Sequence, residues 1–143
     1  CNFTTTMSKT VLITDFDYDF QLIGISSHSK DYRLSWEINK AFNTQLCKEN
    51  DVIYTDKKSN KAGFSMYFYQ DKVEEKELRL ISNKSEGRIL ISEQKAADYF
   101  LILYDYDSYE WSEIIRKIRK INVVLTAFEV DVHTLRDKEN LLF

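Results

Sequence analysis

The sequence predicts an α+β domain in which two main helices pack on one face of a mainly antiparallel sheet of five to six strands, with a short C-terminal helix. Three observations carry this prediction. The 143 residues are 43% hydrophobic, which is enough for a core of ordinary size. Segments of alternating apolar and polar residues are separated by short polar turns. Two other segments repeat apolar residues every three or four positions, as amphipathic helices do.

The beginning of the chain is predicted to be extended, from residue 11 to residue 27. In the stretch TDFDYDF, residues 14–20, aromatic side chains such as Tyr18 and Phe20 fall on one face of a strand and aspartates on the other. Gly24 marks a bulge or a close backbone approach. The aspartates lack the Gly and Glu that a calcium loop needs at its sixth and twelfth positions. We interpret them as a solvated face of the strand.

Residues 30–43 are predicted to form the first helix, with Ser29 as its N-cap. Its inward side is predicted to consist of Leu34, Ile38, Ala41 and Phe42. A second stripe on the outer side consists of Tyr32, Trp36, Asn39 and Asn43. Aromatic side chains are enriched where proteins bind each other. Two interpretations stay open: the stripe binds a partner protein, or the C-terminal LLF of the same chain covers it.

The remaining chain is predicted to form a meander followed by a second helix. Strands are expected at residues 52–55, 64–70, 77–82, 88–91, 99–104 and 122–130. Residues 99–104 are apolar on both faces, which indicates a central strand. Residues 92–98 are expected to form one helical turn. Asp107 and Glu110 form a capping box for a helix over residues 110–121. A short final helix is predicted to reach NLLF.

The end of the second helix offers an alternative function. Its basic residues are Arg116, Lys117, Arg119 and Lys120. They suit the negative end of the helix dipole, and they would also form a local RNA-binding face. A net charge of −3 argues against binding nucleic acid through bulk attraction.

No motif indicates catalysis, a cofactor or a metal site. The two histidines, His28 and His133, have no partner at zinc-ligand spacing. Glycine-rich phosphate loops and a nucleophile elbow are absent from the sequence. An enzyme is therefore the third alternative, and its pocket would contain Glu93, Asp98 or His28. The favoured hypothesis is a non-catalytic protein-interaction or regulatory module.

The sequence predicts a cytoplasmic protein that does not enter a membrane. No run of about 20 apolar residues occurs. Cys1 and Cys47 are the only cysteines, which argues against a disulfide framework, and Cys47 is expected to be a buried small hydrophobic residue. Because Met7 is the better initiator, residues 1–6 are interpreted as an extension and residues 7–143 as one domain.

The segment ISEQKAADY, residues 91–99, resembles the signature of the IPExxxVDY family, a group of small Bacteroidetes proteins. The matching residues are Ile91, Glu93, Asp98 and Tyr99. Ser92 stands in place of the motif's Pro, and Ala97 in place of its Val. Both Pro and Ser favour the start of a helical turn, so the change leaves the expected turn intact.

The similarity to this family extends well beyond the motif. FDYDFQLIGIS, KDYRLSWEINKAF and LISNKSEG also resemble it, so that the likeness runs from about Met7 to Phe143. The resemblance implies the α+β fold and a cytoplasmic setting, and it implies no mechanism. On this interpretation Asp98 caps or orients the turn that leads into the central strand.

Overall fold

The structure is a computed structural model that describes residues 18–143, and a six-stranded antiparallel sheet forms its centre. Its elements are β1 (Gln21–Ser26), α1 (Asp31–Phe42), β2 (Cys47–Lys48), β3 (Val52–Thr55), β4 (Lys61–Phe64), β5 (Met66–Asp71), β6 (Lys76–Ser82), β7 (Lys84–Ser85), β8 (Arg88–Ile89), β9 (Tyr99–Tyr104), α2 (Ser108–Ile118) and β10 (Thr126–Val130). The strand order is β10-β1-β9-β6-β5-β2, while β3–β4 and β7–β8 form separate hairpins. The α+β class, the sheet and the two main helices are confirmed.

The central strand β9 has the apolar sequence that its position requires. It pairs with β1 on one side and with β6 on the other. Leu101 and Leu103 pack in the cluster beneath the helices, and Phe100 and Ile102 pack in the cluster on the opposite face. Because both faces are buried, neither face of the strand carries polar residues.

The two faces of the sheet are covered by different parts of the chain. On one face, Leu34 and Ile38 of α1 and Ile118 of α2 pack against the sheet. Within residues 18–143, no α-helix covers the opposite face. It is covered by the β3–β4 hairpin, by the loop around residues 83–98 and by the C-terminal segment, which contribute Phe64, Leu90, Ile91, Ala97, Leu135 and Leu141.

Helix α1 differs from the prediction at its start and on its inner side. The N-cap is Lys30, and no side chain caps the helix. Ser29 is not the N-cap because its backbone is held elsewhere: its carbonyl accepts a hydrogen bond of 2.6 Å from the Tyr99 hydroxyl. Ala41 is exposed, whereas the other predicted inward residues pack against the core.

Helix α2 has the predicted capping box, but it begins at Ser108 instead of residue 110 and ends before residue 121. The Asp107 carboxylate accepts from the Glu110 N–H at 2.8 Å, and the Glu110 carboxylate accepts from the Asp107 N–H at 3.0 Å. These two bonds form the expected capping box. The helix ends at Ile118, and successive turns follow, so β10 starts four residues later than predicted, at residue 126 rather than 122.

Several other local predictions were wrong. Residues 92–98 form turns instead of a helical turn. The predicted strand at 64–70 is divided at Ser65 between β4 and β5. At the C-terminal end, the described residues contain two short 3-10 turns, Val132–Thr134 and Lys138–Leu141, instead of the short final helix.

The described residues do not include the start of the predicted first strand, most of TDFDYDF or the proposed extension at 1–6. Neither helix of residues 18–143 has the length and apolar character that a bilayer span needs.

Cys47 is half-buried rather than buried, and it is not a free cysteine. The expectation that the cysteines form no disulfide is therefore not supported at Cys47.

Gly24 marks a close approach of another residue to the backbone of β1. A Cβ atom at this position would lie 2.5 Å from Cε2 and 2.6 Å from Cζ of Phe128, which pairs with Gly24 across β1 and β10. Overpacking of this kind typically costs about 1–3 kcal/mol.

We expect Gly24→Ala to lower the free energy of unfolding by about 1–3 kcal/mol in urea denaturation. In the background of Phe128→Leu, which shortens the side chain, the same substitution should cost much less, because the clash is then relieved. A double-mutant cycle measures this coupling. Strictly additive losses would show that Phe128 is not the obstacle.

Candidate functional site

The loop at residues 83–98 is organised around Asn83, which is fully buried. Its side-chain amide donates to the carbonyls of Gln94 at 3.0 Å and Ala97 at 2.9 Å, and its side-chain oxygen accepts from the N–H of Ile91 at 2.7 Å. Sequence reasoning missed this residue, because NKSEG reads as an ordinary polar turn. A buried polar side chain with all its bonds made fixes the loop in one conformation.

Asp98 and Tyr99 hold the connection between β1 and α1. The Asp98 carboxylate accepts from the Ser27 N–H at 2.9 Å and from the Lys84 ammonium at 2.7 Å. The Tyr99 hydroxyl donates to the Ser29 carbonyl at 2.6 Å. Both side chains thus join β9 to the segment before the first helix, which agrees with an orienting role for Asp98.

Ser92 and Glu93 hold the C-terminal segment in the same way. The Ser92 hydroxyl donates to the Asp137 carboxylate at 2.9 Å and accepts from Arg136 at 3.1 Å. The Glu93 carboxylate accepts from the Asp137 N–H at 3.0 Å. Ile91 is fully buried. Ser92 therefore supplies side-chain hydrogen bonds that a Pro at this position could not make.

The four predicted residues of the outer stripe on α1 separate into two pairs. Tyr32 and Trp36 are 66% and 52% exposed. The Arg33 guanidinium and the Lys40 ammonium lie 5.4 Å and 5.1 Å from the centroid of the Trp36 ring. The C-terminal LLF does not cover this stripe, because Leu141 is buried on the opposite face of the sheet.

Asn39 and Asn43 both shape the end of α1. The Asn39 amide donates to the Leu46 carbonyl at 3.1 Å and accepts from the Leu46 N–H at 2.7 Å and the Thr44 hydroxyl at 2.9 Å. Asn43 is the C-cap, with a left-handed backbone of φ 55°. Asparagine is one of the few residues that tolerate this conformation. The side chain of Asn39 is thus tied to the following loop, whereas Tyr32, Trp36 and Asn43 are exposed.

The four basic residues near the end of α2 do not form one free face. Arg116 pairs with Glu113 at 2.5 Å, and Arg119 donates to the Ala127 carbonyl of β10 at 2.7 Å. Lys117 and Lys120 instead line a groove between the two helices. Of the four basic residues named for RNA binding, Lys117 and Lys120 are therefore the two that this alternative relies on.

Two adjoining cavities lie between α1 and α2. The first, of about 280 Å³, reaches down to the sheet and has an apolar floor of Phe42, Leu78, Leu101 and Ile114. The second, of about 380 Å³, is shallower and basic, and its lysines are Lys40, Lys117 and Lys120. Lys117 lines both cavities. Sequence analysis could not find this feature, because its walls come from α1, β6, β9 and α2.

The residues named for an enzyme do not come together. Glu93 and Asp98 make structural hydrogen bonds, and His28 is exposed. None of the three lines either cavity described above. Within residues 18–143, no three His, Cys, Asp or Glu side chains are grouped so that they could hold a metal ion.

No family model, no curated protein and no solved structure matches this chain.

We expect Asn83→Ala to lower the free energy of unfolding by about 3 kcal/mol, since roughly 1 kcal/mol is lost for each of its side-chain hydrogen bonds. Urea denaturation measures the loss. Asn50→Ala, at an exposed asparagine, is the control and should change stability by less than about 0.5 kcal/mol. Equal effects of the two substitutions would contradict the role given to Asn83.

Burial makes stability sensitive to alkaline pH at Tyr99. Burial, followed by the nearby charges of Asp31 and Asp98, raises the pKa of Tyr99 to about 12. In the unfolded chain the phenol ionises near its ordinary value of 10.0. Its contribution to stability is therefore complete below pH 10 and is lost as the pH rises from about 10 to 12.

We expect Tyr99→Phe to make the fall of unfolding free energy above pH 10 less steep, because the substitution removes this titration. At neutral pH it should cost about 1 kcal/mol through the lost bond to Ser29. Denaturation at a series of pH values measures both effects, with Tyr32→Phe on the exposed helix face as the control. An unchanged alkaline slope would refute the assignment.

Proposed function

We propose that this chain is a non-catalytic interaction module that binds a protein partner through Tyr32 and Trp36 on the outer face of α1. The observation that carries the proposal is the exposure of both aromatic side chains, one helical turn apart. Tyr and Trp dominate the binding energy of many protein interfaces. A monomer gains nothing from presenting two such side chains to water on the same face.

The surroundings of Trp36 support binding with a small entropic cost. Arg33 and Lys40 flank the indole from the preceding and following turns of the helix. Arg33 is itself held by an ion pair of 3.1 Å with Glu37. A side chain that is already restrained loses less conformational freedom when a partner covers it. The helix therefore presents an aromatic anchor with positive charge at its edge.

We further propose that the chain belongs to the IPExxxVDY family and acts in the cytoplasm. The motif residues support membership through their shared role, since Ile91, Glu93, Asp98 and Tyr99 all contribute to packing or to hydrogen bonds around the sheet. In this proposal the motif maintains the fold, and the α1 face provides the interaction.

The α1 face can be tested by placing a photo-crosslinking amino acid at position 32 and illuminating native lysate. We expect one discrete protein adduct, and none with the crosslinker at position 53, where Ile53 is equally exposed at 60% on β3. Trp36→Ala should abolish the adduct and cost at most about 1 kcal/mol of stability, because its cation–π contacts are exposed. Ile53→Ala should leave the adduct unchanged.

Other outcomes would redirect the proposal. The same adducts from positions 32 and 53 would indicate unspecific contact. Unfolding of Trp36→Ala in circular dichroism would make Trp36 a core residue. Loss of the adduct on treatment with RNase would favour RNA binding, which also predicts affinity that falls steeply with salt and depends on Lys117 and Lys120.

A further inference from the structure

The deeper cavity between α1 and α2 has the features of a small-molecule site. Its volume is about 280 Å³, near the lower limit of about 300 Å³ for such sites. Leu78 and Leu101 of its apolar floor belong to the core of the sheet, and Phe42 and Ile114 pack against that core. The cavity thus opens an apolar path from the surface to the central strands.

The shallower cavity continues this site with positive charge. Lys117 lines both cavities, and its ammonium lies 5.8 Å from the centroid of the Phe42 ring. Lys40 from α1 and Lys120 from the turn after α2 line the basic part. An apolar floor and a cluster of ammonium groups are therefore contiguous, and they are contributed by both helices.

Glu110 and Glu113 line the deeper cavity, and Glu37 lines the shallower one. Each of them has a basic partner outside the lysine cluster, although Glu113 also interacts electrostatically with Lys117 and Lys120. Glu110 pairs with Lys76, and Glu113 pairs with Arg116. The hydrogen bond from Lys76 lowers the pKa of Glu110, and the one from Arg116 lowers that of Glu113. Glu37 pairs with Arg33 at 3.1 Å. In contrast, no ion pair among residues 18–143 includes Lys40, Lys117 or Lys120.

We propose that this groove binds a small free aliphatic carboxylate, with its chain on the floor of Phe42, Leu101 and Ile114 and its carboxylate beside Lys117. Lys40 and Lys120 complete the positive end. The ligand is inferred to be anionic because three ammonium groups without an ion pair line the groove. Its apolar part is inferred to be short from the depth and volume of the cavity. This site goes beyond the proposed protein interaction and does not depend on it.

The test uses octanoate, octanol and octylamine, which share one chain and differ in charge. In calorimetric titrations of the full chain we expect octanoate to bind at least about tenfold more tightly than the other two, since a charged hydrogen bond contributes about that factor. Amide NMR shifts should concentrate at Phe42, Thr44 and Ile114. Lys117→Ala should weaken octanoate binding by about tenfold and leave octanol unchanged.

Two further variants test whether binding depends on these particular lysines and on the apolar cavity. Lys95→Ala, at an exposed lysine of the 92–98 turns, is the matched control and should change nothing. Ile114→Trp fills the cavity and should abolish binding of both octanoate and octanol. Circular dichroism checks the fold of Ile114→Trp. If this variant unfolds, the titrations of Lys117→Ala with octanoate and octanol test the proposal instead.

Three results would overturn the proposal: no octanoate binding up to its solubility limit, equal affinities for the three probes, or shifts away from the groove. A fourth would be a polyglutamate peptide that displaces octanoate and binds Ile114→Trp as well as the parent chain, which would assign the lysines to an acidic protein segment. Because these titrations need no partner protein, their outcome is independent of whether Trp36→Ala loses its adduct.

Discussion

Burial of β9 on both faces is the constraint on which the rest of the fold depends. Each face of this apolar strand needs a cover, and the two helices supply only one. The second cover consists of the β3–β4 hairpin, a loop and 3-10 turns, and the loop and the turns lie outside the strand pairing of the sheet. Side chains must therefore hold these segments in place. Asn83, Asp98 and Ser92 do so with hydrogen bonds to backbone groups or to the C-terminal segment.

This requirement explains why the segment at residues 91–99 is rich in polar residues. Glu93 and Asp98 each accept a backbone N–H from a distant part of the chain. The surfaces without such a structural role lie on the helix side. There the outer face of α1 exposes Trp36, and the groove beside α2 exposes Lys117.

Features set by local periodicity were predictable from the sequence. The apolar run gave β9 its correct bounds, and Asp107 with Glu110 predicted the capping box because both partners lie within one turn. Features set by distant partners were not predictable. Ser29 looks like an N-cap until Tyr99 binds its carbonyl. Asn39 has the spacing of an interface residue, but its amide binds the loop that follows the helix.

The candidate sites also combine features that the sequence could predict with features that depend on distant parts of the chain. Helical spacing placed Tyr32 and Trp36 on one face, whereas their exposure depended on where the C-terminal segment packs. Lys40 connects the two surfaces physically, since its ammonium lies over the Trp36 ring and its side chain lines the basic groove. An anion in the groove would attract this ammonium away from the indole. If both proposals hold, occupancy of the groove and binding at the α1 face are therefore coupled, and such coupling acts equally in both directions.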